Sequence, residues 1–149
     1  MSLSIKEQID ALLDIGDQDL LIQEIAKVKD EKILYALGCS YNWDDGFAVP
    51  TAIIANSNCH LSTALMLFYL ADGGRYLANK PEVEKSTLSS WKQFIMNLYN
   101  KIIAGTFDKS NIKFVPPFNK VGLYKLRKQL NDSELIFIEP IDGEDLEHI

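Results

Sequence analysis

The sequence predicts an all-α fold, either a compact multi-helix bundle or a set of orthogonal helical hairpins with possible HEAT-like stacking. Three observations lead to this prediction. Apolar residues recur at helical spacing along most of residues 4–105. Serine, aspartate and glycine stand where helices are expected to begin and end. Residues 61–70 are apolar on nearly every side, which is typical of a helix surrounded by other helices.

The first forty residues predict three short amphipathic helices. Ser4 and Glu7 form a capping-box pattern, and the helix that follows is expected to end at Gly16. Asp17 and Asp30 are suited to cap the second and third helices, because a carboxylate oxygen accepts hydrogen bonds from the free amides of a first turn. The apolar stripes of these helices are carried by Ile5, Ile9, Leu12, Leu13, Leu21, Ile25, Val28, Ile33, Leu34 and Leu37.

Residues 50–104 predict a helical hairpin followed by one long helix. Pro50 favours a first helical turn, because its missing N–H would have had no partner there, and a short helix over 50–55 follows. Residues 56–58 form a polar turn before the core helix at 61–70, which ends at Gly73. After a break at residues 80–81, a helix over 87–104 presents one apolar face, formed by Trp91, Phe94, Ile95, Leu98 and Ile102.

Residues 106–149 predict an irregular C-terminal extension. Pro116 and Pro117 prevent regular structure around them, and residues 121–130 carry a weaker helical stripe. Residues 135–138 are compatible with a short strand or with an extended segment packed on the helices. The strand alternative requires a partner, and residues 112–115 are the β-favourable candidate, so it predicts one short β-hairpin in the extension. The prediction as a whole is a single domain over 1–149, with its helical core at about 4–105.

Composition narrows the class of protein. The chain has 149 residues, 47% of them hydrophobic and 24% charged, as in an ordinary globular domain. Its net charge of −6 disfavours nucleic acid as a partner, because nucleic-acid affinity depends on lysine and arginine. The longest apolar stretch, residues 64–71, is far short of the roughly 20 residues that a membrane span requires, so we expect no membrane insertion.

The two cysteines, Cys39 and Cys59, predict neither a disulfide framework nor a zinc site. They lie twenty positions apart, and the chain has only two histidines, His60 and His148. A reducing cytoplasm fits this pattern best. The adjacent Cys59 and His60 suggest a nucleophile and base, but neighbours in sequence seldom face each other, so a buried structural cysteine is the favoured interpretation.

Much of the acidic excess lies in the tail at residues 134–147. Two interpretations are open: electrostatic attraction of a basic protein partner, or a solvated surface and frayed end, which we favour. The tail carboxylates are Glu134, Glu139, Asp142, Glu144, Asp145 and Glu147.

The loop from Asn42 to Gly46 is the strongest candidate for a binding site. It places the indole of Trp43 beside two carboxylates, Asp44 and Asp45, and a second acidic segment with Asp72 and Arg75 follows the core helix. If the hairpin brings these loops together, three carboxylates and an arginine meet at one surface. The structural alternative, which we favour, is that Asp44 or Asp45 caps backbone amides, Trp43 packs into the core and Arg75 braces a carboxylate.

The same segment resembles a bacterial family of domains of unknown function, numbered 4274, over about a third of the chain. The resemblance implies a bacterial helical domain and carries no established activity. The residues that match the family signature are Trp43, Asp44, Asp45, Gly46, Pro50, Asn56, Cys59, Asp72 and Gly73.

Two functions are compatible with these observations. The first is a non-enzymatic protein–protein interaction module whose acidic surface binds a basic partner; its narrower form is a toxin-neutralising module of the immunity-protein type. The second is a small-molecule or metal-binding enzyme with a carboxylate site at Asp44, Asp45 and Asp72. We expect no cofactor and no resident metal, because the adjacent aspartates lack the alternating oxygen spacing of a calcium-binding loop.

Overall fold

The computed structural model describes residues 3–146 and is mainly helical, as predicted. Two 3-10 helices, Trp43–Asp45 and Asp132–Phe137, accompany the α-helices of the described chain. The α-helices are α1 (Ile5–Leu13), α2 (Gln18–Ala26), α3 (Glu31–Ser40), α4 (Ala48–Ala55), α5 (Leu61–Leu70), α6 (Gly74–Ala78), α7 (Lys80–Glu84), α8 (Ser89–Ile103) and α9 (Lys120–Gln129).

The predicted helix starts are formed by the predicted side chains. Ser4 and Glu7 make a complete capping box on α1. The Asp17 side chain accepts from Leu20 N–H at 3.1 Å, and the Asp30 side chain accepts from Lys32 N–H at 2.9 Å. Each bond satisfies an amide that has no partner inside its own helix.

Two short helices, α6 and α7, occupy residues 74–84, where the sequence predicted only a break at residues 80–81. Asn79 ends α6 and caps α7, where its side chain accepts from Glu82 N–H at 3.3 Å. Pro81 stands in the first turn of α7, where a missing N–H costs nothing. Five residues are too few for an apolar stripe to repeat, so periodicity does not detect such helices.

The core is built around α5, as its all-round apolar sequence predicts. This helix packs against α3 on one side and α8 on another, while α1 packs on α3 and α2 packs on α4. The extension also contributes, since Ile112 and Phe137 are almost completely buried. The largest fully buried side chains are Phe68, Phe137, Ile25, Leu34, Leu37, Ile53, Leu65, Leu67, Ile95, Leu98, Ile102 and Ile112.

The predicted β-hairpin between residues 112–115 and 135–138 is wrong. Asn131 and Glu134 form a capping box, and this local bonding starts a 3-10 helix that includes most of the predicted strand. Residues 112–115 lie instead against the segment that follows. Phe114 and Ile141 exchange two backbone hydrogen bonds of 2.9 and 2.8 Å, and Ile112 forms an isolated bridge with Glu144. Only isolated bridges, and no continuous strand, occur in residues 3–146.

A buried polar cluster joins the extension to the N-terminal end of α5. Ser110 Oγ accepts from Ser62 N–H at 2.8 Å and donates to Glu31 Oε2 at 2.8 Å. Thr63 Oγ1 donates to the same carboxylate oxygen at 2.8 Å. His60, the N-cap residue of α5, makes no side-chain cap, so Ser110 supplies that function from a distant part of the chain.

The acidic tail packs against the fold as far as Leu146, which is buried. The described part of the tail is therefore not a frayed end. Glu134 is 1% exposed and forms a salt bridge of 2.7 Å with Lys80. Glu144 forms a salt bridge of 2.5 Å with Lys32. Glu147 lies outside the described residues.

Across the described residues, no helix combines the length and the apolar character needed to cross a bilayer.

Candidate functional site

The loop at 42–46 is a tightly bonded 3-10 turn. Asn42 Oδ1 accepts from Asp44 N–H at 3.1 Å, so Asn42 is the capping residue rather than either aspartate. Gly46 has φ +95°, a conformation that favours glycine. Tyr41 closes the turn, because its hydroxyl donates to the Gly46 carbonyl at 2.7 Å. The turn is therefore held at both ends.

Trp43 fixes the turn against the core through aromatic contacts. Its half-buried ring meets Tyr41 edge-on at 5.7 Å between centroids, and Phe47 and Phe94 at 6.0 Å each. Edge-to-face pairs at these distances are favourable beyond simple burial. This placement agrees with the interpretation that Trp43 packs into the core.

Asp44 and Asp45 project from the turn without counter-ions. Both residues are exposed, and neither side chain forms a salt bridge or hydrogen bond with another residue in the described chain. Asp45 lies close enough to Tyr41 to affect it: burial raises the pKa of the Tyr41 hydroxyl, and the Asp45 charge raises that pKa further. The turn thus presents two fixed negative charges to solvent.

Asp45 stands at a cleft of about 700 Å³ between the α1–α2 turn and the 42–46 turn. Its apolar lining residues are Leu13 and Ile15, which are accessible, and Leu21 and Val49, which are buried; Asp45 is the charged residue of the lining. The remaining lining residues are Gly16, Gln18, Ser40, Tyr41 and Asn42. We call this the Asp45 cleft.

The chain segments that form the Asp45 cleft contain no lysine or arginine. Lysine and arginine are absent from residues 7–26 and again from residues 33–74. Exposed aspartates adjoin the lining residues in sequence, and none of them forms a salt bridge with another described residue. These residues, which we call the acidic rim, are Asp14, Asp17, Asp19, Asp44 and Asp45.

Asp72 and Arg75 form a second cluster just after the C-terminal end of α5. Arg75 lies 3.7 Å from Asp72 and 2.7 Å from Glu82, and its guanidinium stands over the Trp91 ring at 5.6 Å. Asp72 has φ +66° and continues the end of α5: its N–H donates to the Tyr69 carbonyl, and Gly73 N–H donates to the Phe68 carbonyl. This bond pattern is a Schellman motif.

The two clusters contact neighbouring turns of the same helix, α8. Trp43 contacts Phe94, and Arg75 contacts Trp91 one turn earlier on α8. The carboxylates themselves do not form one ligand set. Within residues 3–146, no group of three or more histidine, cysteine, aspartate or glutamate side chains is arranged to hold a metal ion.

Cys59 lies in the core, as the structural interpretation predicts. It is 3% exposed, and its thiol lies 3.9 Å from the His60 carbonyl oxygen rather than bonding the imidazole. Burial raises the pKa of the Cys59 thiol, and the nearby Glu31 carboxylate raises it further, so the reactive thiolate is disfavoured.

Sequence reasoning missed the α1–α2 turn as one wall of the site. Gly16 was predicted only as a helix end and Gln18 was given no role, yet both line the Asp45 cleft. The available signal was electrostatic: Asp14, Asp17 and Asp19 follow one another in a stretch without lysine or arginine. That pattern marks an acidic surface but does not show which other loop lies opposite.

The chain is thus a small, mainly helical protein with a cleft in an acidic part of its surface. The chain belongs to the family described as domain of unknown function DUF4274, whose profile matches residues 29–103. Comparison with curated proteins and with solved structures gave no match. The matched region contains the cleft wall at residues 40–49 but not the opposite wall at 13–21.

Proposed function

We propose that this chain is a non-enzymatic protein–protein interaction module that binds a positively charged partner through the acidic rim. The observation that carries the proposal is the acidic rim itself, which has no salt-bridge partner in the described chain and borders a cleft. A charged side chain at an interface needs an opposite charge to offset its desolvation. Since no described residue forms a salt bridge with the acidic rim, the proposal assigns that charge to a partner molecule.

Rigidity supports this function. Asn42, Tyr41 and Trp43 hold the 42–46 turn before any partner arrives. A surface fixed in advance loses little conformational entropy on binding, so more of the interaction energy appears as affinity. The negative potential also increases the rate at which a basic protein encounters this surface.

The test is isolation of the chain with its partner from cells that naturally produce it. We expect a stoichiometric partner with a basic surface, bound at low salt and released at about 0.5 M salt because screening weakens exposed charge pairs. The D14K/D44K variant should lose the partner. Repeated purification with no stoichiometric partner, or with one that tolerates both high salt and D14K/D44K, would contradict the proposal.

The narrower form of the proposal is that the partner is a toxin, as it would be for an immunity protein. A basic toxin covered by an acidic protein is held by complementary charge. Production of the partner alone should then arrest growth, and joint production with this chain should restore it. Normal growth with the partner alone excludes the toxin-neutralising form and leaves the interaction module intact.

The alternative function is a small-molecule-binding enzyme, and the volume of the Asp45 cleft is compatible with its binding step. The Asp45 cleft has a volume of about 700 Å³. Pockets that bind small ligands have volumes of roughly 300–1,000 Å³. Native mass spectrometry of the freshly purified protein tests this function, because a bound small molecule would appear as an added mass that D45N removes. An unchanged mass in both proteins counts against it.

A further inference from the structure

We propose that the Asp45 cleft accepts an arginine side chain of the partner, with its guanidinium on Asp45 and its aliphatic stem along the apolar wall. This inference rests on the proposed interaction function and specifies its central contact. The Asp45 cleft combines an exposed carboxylate at the turn with accessible apolar surface from Leu13 and Ile15. An arginine side chain has the same two parts, a hydrocarbon stem and a charged end.

The polar lining favours arginine over lysine. A guanidinium has five N–H donors in a planar fork, and it bonds a carboxylate through two parallel hydrogen bonds. Asp45 provides two acceptor oxygens that no other described residue occupies. Gln18 and Ser40, which carry side-chain oxygens, are lining residues of the same cleft. A lysine ammonium has only three donors and is more strongly hydrated, so it gains less from this set of acceptors.

Two neighbouring clefts of similar volume lack this chemistry. The groove between α4 and α8, also about 700 Å³, has no charged residue in its lining. The groove between α1 and α2, again about 700 Å³, has both carboxylates and lysines, Glu24 and Asp30 beside Lys27 and Lys29. Charge therefore selects a cationic occupant at the Asp45 cleft but not at these two grooves.

The experiment uses two peptides that differ only in charge. The first is acetyl-Gly-Leu-Arg-Leu-Gly-amide, and the second carries citrulline, which is neutral and nearly the same shape, in place of arginine. Each is titrated into the ¹⁵N-labelled protein at low salt, and amide shifts are followed by NMR. We expect the arginine peptide to shift Gly16, Gln18 and Asp45, and the citrulline peptide to leave them in place.

Asp44 and Asp45 provide a matched pair of variants. Both are exposed and adjacent, and D44N and D45N change the charge equally, but only Asp45 lines the cleft. We expect D45N to weaken binding of the arginine peptide about fivefold and D44N less than about twofold, consistent with partly exposed charged contacts. L13Q tests the apolar wall, and it should weaken binding without changing the salt dependence.

Several outcomes would overturn the inference: equal weakening by D44N and D45N, shifts spread over the acidic rim rather than the cleft, or equal binding of the citrulline peptide. Absence of site-specific shifts at about 10 mM arginine peptide, a concentration suited to millimolar affinity, would also do so. Thermal denaturation confirms that each variant is folded. If a salt-sensitive native partner is retained by D45N, the arginine contact fails while the interaction function stands.

Discussion

Asp72 adopts a left-handed backbone conformation just after the end of α5, a position that glycine usually occupies in helices that end this way. Its φ is +66°, and it completes the Schellman motif at the end of α5. A residue with a side chain is strained in this conformation, whereas glycine is not. The exposed ion pair with Arg75 at 3.7 Å contributes little stability to offset that strain. We expect D72G to stabilise the protein by about 0.5 kcal/mol, measured as a rise in the thermal midpoint. A lower midpoint would show that the Arg75 pair outweighs the backbone strain.

Gly73 supplies the contrasting substitution at the next position. A Cβ on Gly73 would lie 2.3 Å from ring atoms of Phe68, which is completely buried and cannot move aside. We expect G73A to destabilise the fold by about 1–3 kcal/mol, as overpacking does. Equal effects of D72G and G73A would mean that the end of α5 is not constrained as described.

Glu134 is the residue whose ionisation contributes most clearly to the fold. Burial alone would raise its pKa, but hydrogen bonds from Lys80 and Tyr99, each 2.7 Å, and from Asn131 N–H hold the pKa below the ordinary glutamate value. Because the pKa of Glu134 is lower in the folded chain than in the unfolded chain, the ionised carboxylate stabilises the fold at pH values above the unfolded pKa. This stabilisation is lost as the pH falls through the folded pKa.

The E134Q variant tests this contribution. Glutamine keeps the size of the side chain but removes the charge that Lys80 contacts, so we expect a loss of about 1–3 kcal/mol at neutral pH. The difference from the wild type should shrink as the pH is lowered from about 7 to about 3, because the wild-type carboxylate becomes protonated. Chemical denaturation at several pH values measures it. A difference that stays constant across this range would contradict the assignment.

Capping residues could be predicted where the bond is local. Ser4, Asp17 and Asp30 each bond an amide two or three positions away, so the pattern is visible in the sequence. Glu134 was predicted on the surface because its partner Lys80 is distant along the chain. The candidate site divides in the same way: the 42–46 turn is recognisable, but its opposing wall depends on tertiary packing.

At the scale of the elements, the N-terminus of α5 depends on a residue from the extension. Ser110 is buried and accepts the Ser62 amide hydrogen bond. S110A removes the acceptor of the Ser62 amide and one hydrogen bond to Glu31, so we expect the free energy of unfolding to fall by about 1–3 kcal/mol. Hydrogen exchange should increase at Ser62 and in the segment around residue 110. T51A, a change on the solvent-exposed side of α4, is the control and should alter neither.

The sequence predicted the long helices α5 and α8 but not the five-residue helices α6 and α7. The 61–70 helix has the predicted bounds, and α8 differs from its predicted range by two residues at the start and one at the end. The 3-10 helix at Asp132–Phe137 was predicted as a strand because Leu135 to Ile138 are apolar and partly β-branched. The capping box of Asn131 and Glu134 determined the local structure, and β-propensity is the weaker influence when no neighbouring strand is present.

At the scale of the whole molecule, the acidic rim and two glutamates of the tail have different surroundings. The acidic rim has no salt-bridge partners among the described residues. In the tail, Glu134 and Glu144 are paired with Lys80 and Lys32. Net charge alone, which is −6, does not distinguish these sets. Partner binding should therefore depend on where a charge is changed rather than on how much charge is changed.

Two double charge reversals test this dependence on position. D14K/D19K alters the acidic rim, and E139K/D142K alters exposed residues of the tail; each adds four charges, so both variants go from −6 to −2. We expect D14K/D19K to weaken partner binding about tenfold or more and to reduce its salt dependence, because the lost contacts are the screened ones. E139K/D142K should change affinity less than about threefold. Calorimetric titration at low and high salt measures both, and equal weakening would assign binding to overall charge rather than to the acidic rim.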